Sequence, residues 1–274
     1  MTPRPRPRDR ASAATVLVAV AAFACGRAEK APPPPEFEQL RAFTLVPPPR
    51  DGGPLLLAGR WEVREGELRP ETEPADAARP ASWVDRSEAR AFAAARGARL
   101  PTLAEWRHLA GSPQAGTRLP TVTANTLELG FHGPLPVGVF ERGKSPEGCF
   151  DLAGNLWEWV DDDLPGPLGL PGRAAACGGG FGSWGQLGHA GPNALRELEA
   201  GERADDLGFR LVADAAPWIE ERLQPVWREV PAARDAARAA FATWRPELRA
   251  DLAARLRQRG VDAGLCTALE EASR

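Results

Sequence analysis

An α+β fold with little regular secondary structure and a helical appendix at its C-terminal end is what this sequence predicts, on three observations. Residues 37–215 carry short helix and strand patterns separated by turn-rich connections. The chain holds 28 Pro and 28 Gly, enough to interrupt long elements repeatedly. After Asp214 the pattern changes to long-period helix, which fills residues 216–274. At 274 residues there is room for one full core of ordinary size plus that appendage. A formal net charge of -3 supplies no basic field to neutralise phosphates, so nucleic acid is excluded as a partner.

The first 25 residues read as an address. Four arginines among the first ten residues precede an uncharged, mostly apolar run over 11–24, the layout of a signal peptide. That run falls short of the roughly 20 apolar residues a helix needs to cross a bilayer. Ala22-Phe23-Ala24-Cys25-Gly26 resembles a lipobox, with Ala22 where Leu is usual, and makes Cys25 the candidate lipidation site. Acyl chains contribute about 0.8 kcal/mol per buried methylene and would hold the mature chain on a membrane without a spanning helix. Ordinary secretion with cleavage after Ala24 is the competing reading. The expectation is an exported protein, either a membrane-anchored lipoprotein or a periplasmic or secreted one, with residues 26–36 and their run of four prolines as a stiff linker.

Export places Cys149, Cys177 and Cys266 in an oxidising compartment. Cys149 and Cys177 lie in one domain and form the candidate disulfide; separate buried thiols are the alternative. Within the body, the helix signal is clearest over 85–96, where Asp85 or Ser87 caps the start, Ala89, Phe92 and Ala93 share a face, and Gly97 ends it. Thr102 and Glu105 have capping-box spacing and start a second helix with Trp106 on its buried side. Residues 136–140 and 207–212 suit strands. Asp161-Asp162-Asp163 reads as a solvated turn, with binding of a hard cation as the rarer use. His108, His132 and His189 stand singly, as structural histidines usually do.

Four signatures in order carry a family resemblance. Arg99-Leu100-Pro101-Thr102-Leu103-Ala104-Glu105-Trp106 resembles the R-L-P-T-E-A-E-W of the formylglycine-generating enzyme (sulfatase-modifying factor) family, and residues 148–160, GCFDLAGNLWEWV, resemble its G-L-Y-D-M-A-G-N-V-W-E-W-V. Gly178-Gly179-Gly180-Phe181 is similar to its G-G-S-W/F, and Gly208-Phe209-Arg210-Leu211-Val212 to its G-F-R-L-V. Upstream, Ala81-Ser82-Trp83-Val84-Asp85 looks like its V-S-W-x-D. The resemblance covers roughly residues 40–213. It implies a C-type-lectin-like fold of small twisted sheets and two helices. In so loop-rich a fold Trp83, Trp106, Trp157, Trp159 and Trp184 are expected to bury on the order of 200 Å² each as apolar anchors.

The resemblance also says what chemistry to look for. Enzymes of the family hold Cu(I) on a C-x4-C pair just after the G-G-S segment, and soft thiolates are what Cu(I) requires. The matching positions here are Ser183 and Gly188, so copper is not expected and no catalytic residue is assigned. A displaced copper site would have to use Cys177 and Cys149. The family's sulfoxide synthases carry iron on an H-x3-H-x-E motif in a separate helical domain, which three scattered histidines do not provide. Structural calcium is the one ion left open, with Asn155 and Glu158 carried over from the G-N-x-W-E-W segment as its ligands.

In the tail, helices are expected over 218–230, 232–244 and 247–259, separated by Pro231 and Pro246 and ended by Gly260. The functional expectation is a non-catalytic binding or scaffold module that recognises a protein, peptide or glycan of the cell envelope and reaches the membrane through its lipid. The alternative is an active formylglycine-generating or other oxidase with a displaced metal site.

Overall fold

Runs of apolar residues too short for a helix and bounded by turns become strands, and here they make two small sheets. The computed structural model describes residues 35–50, 52–111, 123–165, 172–231 and 234–272, all within a compact unit that starts at Pro33. Cys25, the signal segment and most of the proline-rich linker lie outside the described residues. Among the described residues no helix is long and apolar enough to cross a membrane.

The first sheet has the order β1 (Phe43–Val46), β2 (Leu56–Gly59), β7 (Val212–Asp214), all antiparallel. Its central strand is apolar throughout because both faces are covered. Leu55 and Leu57 pack into a large cluster shared with the C-terminal helices, while Leu56 and Ala58 face a smaller cluster with Trp106, Val160 and Val212. Strand periodicity makes one run of leucines serve two cores. The second sheet has the order β5 (Gly191–Leu198), β4 (Arg173–Gly178), β3 (Trp157–Leu164), β6 (Leu207–Gly208); only the β3–β6 pair is parallel.

Local capping chemistry sets the two body helices, after a single turn α2 (Glu65–Leu68). In α3 (Arg86–Ala95) the Asp85 carboxylate accepts from the Glu88 amide at 2.9 Å; the Ser87 hydroxyl and that amide hold its carboxyl down to about 2. In α4 (Leu103–Ala110) both capping-box bonds form, Glu105 N to Thr102 Oγ1 at 3.1 Å and Thr102 N to Glu105 Oε2 at 2.8 Å. Trp106 is fully buried, as expected.

Three expectations are corrected. Residues 136–140 are a turn around Gly138 (φ 75), because their amides bond to other loops: Val137 N to Ala78 O at 3.0 Å and Gly138 N to Asp151 Oδ2 at 2.6 Å. The aspartate run is part of β3. Asp161 binds Arg90 and Asp163 binds Arg86, both at 2.6 Å, and Asp162 accepts the Leu103 amide at the start of α4, so the carboxylates dock both helices onto the strand. Of the five tryptophan anchors, Trp106 and Trp159 are fully buried and Trp157 partly; Trp83 and Trp184 are 58% and 46% exposed.

The tail begins with α5 (Ala215–Trp218), a π-helical turn (Ile219–Leu223) and α6 (Gln224–Glu229). It continues through α7 (Arg234–Phe241), α8 (Pro246–Gln258) and α9 (Ala263–Glu271). The last helix was not anticipated separately; Asp262 caps it by accepting from Leu265 N at 3.1 Å. At the other end α1 (Pro35–Ala42) occupies the last residues of the expected linker and contributes Phe37 and Leu40 to the core shared with the tail. The tail is fastened to the body by fully buried Trp244, whose indole N–H donates to Phe43 O at 3.1 Å, and by Trp218, edge-on to Phe43 with centroids 5.7 Å apart. Trp244→Ala is expected to cost about 3–5 kcal/mol in urea denaturation, with tail and body still unfolding in one transition.

Candidate functional site

The segment from Asp151 to Glu158 is turned inward by left-handed backbone at Asp151 (φ 58), Gly154 (φ 75) and Asn155 (φ 61). At Gly154 the requirement is steric as well, since a Cβ would stand 2.3 Å from Asn125 O. The turn delivers Asn155 and Glu158 into the interior. The Asn155 side-chain oxygen accepts from Asn125 Nδ2 at 3.0 Å and Leu135 N at 2.9 Å, and its Nδ2 donates to Glu62 Oε1 at 3.1 Å. Glu158, with no exposed side chain, takes Arg210 on both carboxylate oxygens and the Trp106 indole N–H at 2.7 Å. Arg210 spends its other donors on Gly59 O (3.0 Å) and Phe150 O (2.9 Å). Burial alone would lower the Arg210 pKa; the Glu158 carboxylate outweighs it and raises it. The pair expected to ligate calcium is therefore committed elsewhere: Glu158 is neutralised by a guanidinium, and the residues present do not fit a cation at that position.

Beside this pair sit two further buried acids. Burial and repulsion by Asp151 push the Glu62 carboxyl well up, and burial raises Asp151. As a carboxylate, Glu62 Oε2 has no partner among the described residues; as a carboxylic acid it donates to Asp151. A raised folded-state pKa means that the unfolded chain loses its proton first, so stability is fully present below about pH 4.3 and falls as pH rises above it. Glu62→Gln keeps the donor at every pH. Its melting temperature should gain on the wild type as pH rises above about 4; parallel curves would show that Glu62 is ionised in the fold. Arg210→Met should cost about 3–5 kcal/mol by leaving Glu158 buried and unpaired, and adding Glu158→Gln should recover much of that loss in the same denaturation assay.

The surface above this network is shaped by the glycines that end β4. Gly178 and Gly179 have φ 99 and 83, and a Cβ on Gly179 would meet His189 O at 2.7 Å. Beyond them Ser183 closes a turn, its N–H on Gly180 O at 2.9 Å and its Oγ accepting from Gly180 N at 3.0 Å. The loop runs on to His189, whose N–H donates to Trp184 O at 3.0 Å. Glu128 clamps this loop from another segment by accepting from Gly185 N at 3.2 Å and Gln186 N at 2.8 Å. Desolvation would raise the Glu128 carboxyl, but these amides and the Thr126 hydroxyl hold it down to about 2. Trp157, Ser183, Trp184, Gly188, His189 and Asn193 line an open depression of about 480 Å³. The spacing that placed Ser183 and Gly188 at the enzymes' thiol positions thus leads to a real concavity. Glu128 was missed, because its partners are backbone amides that leave no pattern in sequence.

The depression offers an imidazole, a hydroxyl, an amide and two indole faces, which suits binding. The residues present do not fit Cu(I): the Ser183 oxygen is a hard donor already engaged in its turn, and Gly188, with no heavy atom within 4 Å of where a Cβ would stand, has space but no ligand. The anticipated disulfide is absent as well. Cys149 and Cys177 are free, buried thiols in the small apolar cluster with Trp106 and Leu109, where burial pushes them up to about 11 and 12. They act as small hydrophobes. His108 Nε2 donates to Pro47 O (3.1 Å) and His132 adopts a left-handed turn (φ 53); among the described residues no three His, Cys, Asp or Glu side chains gather into a metal-holding group.

A loop-rich α+β body with two short capped helices, a G-N-L-W-E-W segment folded onto a buried arginine, and a concavity after a triple glycine defines a sulfatase-modifying-factor-type domain. The model of the "sulfatase-modifying factor enzyme 1-like domain" matches residues 57–215, more than half of the chain, and the chain belongs to that family. Hercynine oxygenase of Mycobacterium tuberculosis is 37% identical over 123 residues, covering 41% of this chain and 28% of that protein. Inactive C-alpha-formylglycine-generating enzyme 2 of Bos taurus is 34% identical over 97 residues, covering 30% and 32%. The chain therefore spans under a third of the length of either relative. Among solved structures, PvdO from Pseudomonas aeruginosa aligns at 21% identity and TM-score 0.47, over 63% of this chain and 90% of that one.

Proposed function

We propose that this protein is a non-catalytic binding module, lipid-anchored through Cys25, whose partner in the cell envelope is a protein, peptide or glycan seated in the Trp157–Trp184 depression. The observation that carries the reading is the exchange at the two thiol positions. Ser183 is consumed by its own turn and Gly188 has no side chain, while the aromatic walls around them are kept and remain open to solvent. An exposed Trp184 indole beside a half-buried Trp157 in a preformed concavity supplies the apolar area and rigidity that recognition uses. One relative is, by its name, an inactive formylglycine-generating enzyme, so loss of that activity has precedent in the family. The oxidase alternative would need Cys149 and Cys177 as ligands, and both are buried, protonated and absent from the lining of the depression.

The test is to load the purified protein with Cu(I), measure bound copper by elemental analysis, and follow oxygen uptake with a cysteine-containing peptide. Substoichiometric copper and no peptide-dependent oxygen uptake are expected. Stoichiometric copper with oxygen consumption that is lost in Cys177→Ala would overturn the reading.

A further inference from the structure

We propose that Trp83 forms a second recognition site, specific for a neutral saccharide, which stands independently of the Trp157–Trp184 depression. Tryptophan is the side chain with most to gain from burial, and Trp106 and Trp159 are fully buried in this fold. Trp83 is 58% exposed, on a backbone held in the left-handed region (φ 58) that bulky L-residues rarely adopt. The conformation is imposed from both sides. Its N–H donates to Ala204 O at 2.9 Å and its carbonyl accepts from Arg203 Nη1 at 3.1 Å. Arg203 is itself locked by Asp85 (2.6 Å) and Glu88 (2.8 Å) at the cap of α3. A strained backbone that holds a large apolar ring in water, braced by a helix cap, is a preorganised contact surface.

The ring borders an open concavity of about 460 Å³ whose other side chains include Glu65, Arg69, Asp76, Arg79 and Ser82. Two ion pairs run through it, Arg69–Glu65 at 2.6 Å and Arg79–Asp76 at 3.0 Å, so the rim is strongly polar and its charges cancel. Both guanidiniums are fixed further by carbonyls, Arg69 by Ser82 O at 3.3 Å and Arg79 by Pro134 O. Glu65 Oε2, Asp76 Oδ2 and the Ser82 hydroxyl have no partner among the described residues and face solvent chemistry unspent. The ligand this arrangement fits has one apolar face to stack on an indole and an edge of groups that each donate and accept, which is a pyranose ring. An anion or cation gains nothing from a rim of zero net charge, and an apolar side chain leaves the rim unsatisfied.

The experiment is calorimetric titration of the purified full chain with maltotriose, cellotriose and chitotriose, with trigalacturonate and an acetylated tripeptide amide as controls. At least one neutral trisaccharide should bind with a Kd in the millimolar range or tighter. Trp83→Gly, which removes the ring and suits φ 58, should weaken that binding by about tenfold or more without lowering the melting temperature. Trp83→Phe should restore part of the affinity, and Phe131→Ala, at an exposed aromatic residue that lines neither concavity, should leave it unchanged. Binding by none of the neutral sugars, binding by trigalacturonate alone, or full affinity in Trp83→Gly would each overturn the proposal.

Discussion

The buried ion pair between Glu158 and Arg210 is the constraint to which the other elements answer. A guanidinium and a carboxylate removed from water are tolerated only when their remaining hydrogen-bonding capacity is met. Meeting it draws Trp106 from α4, Gly59 at the end of β2 and the Phe150 carbonyl to one point. Glu158 lies on β3 and Arg210 between β6 and β7, so the pair ties the two sheets to each other. A one-residue slip of β3 would turn the carboxylate to the opposite face and strand the arginine, which is how a single polar interaction fixes register across a loop-rich molecule.

What was legible in the sequence is what is decided locally. Asp85, Thr102 and Glu105 satisfy amides within three residues of themselves, so spacing alone reveals both helix starts. The positions of Ser183 and Gly188 could likewise be counted from the triple glycine. The aspartate run defeated local reading because its partners are Arg90, Arg86 and the Leu103 amide, all far away in the chain. Residues 136–140 have strand composition, but their amides are claimed by Ala78 and Asp151. Trp83 and Trp184 stay exposed for the converse reason: hydrophobicity states what a side chain gains from burial, and only the surrounding backbone decides whether it is granted.

The family's interior and the loop after its triple glycine are constrained to different degrees in this chain. The scaffold residues of the G-N-L-W-E-W and G-F-R-L-V segments remain because they hold the interior together, whereas the two loop positions after the triple glycine carry no structural duty that requires sulfur. A thiol at either position would add nothing to the fold. Cys149 and Cys177 serve as apolar volume in the small core, and Cys266 in the large one.

Trp244 reaches back 201 residues to the carbonyl of Phe43, and the core that surrounds them is shared by the first strand and the last helices. A chain emerging from the ribosome in order cannot close that core until Trp244 and the helices after it have been made. Contacts of such sequence separation also slow folding, because loop-closure entropy is lost before they repay it. Synthesis and collapse are thereby separated in time: β1 waits for the tail, and the nascent body keeps that apolar face uncovered until α7, α8 and α9 arrive.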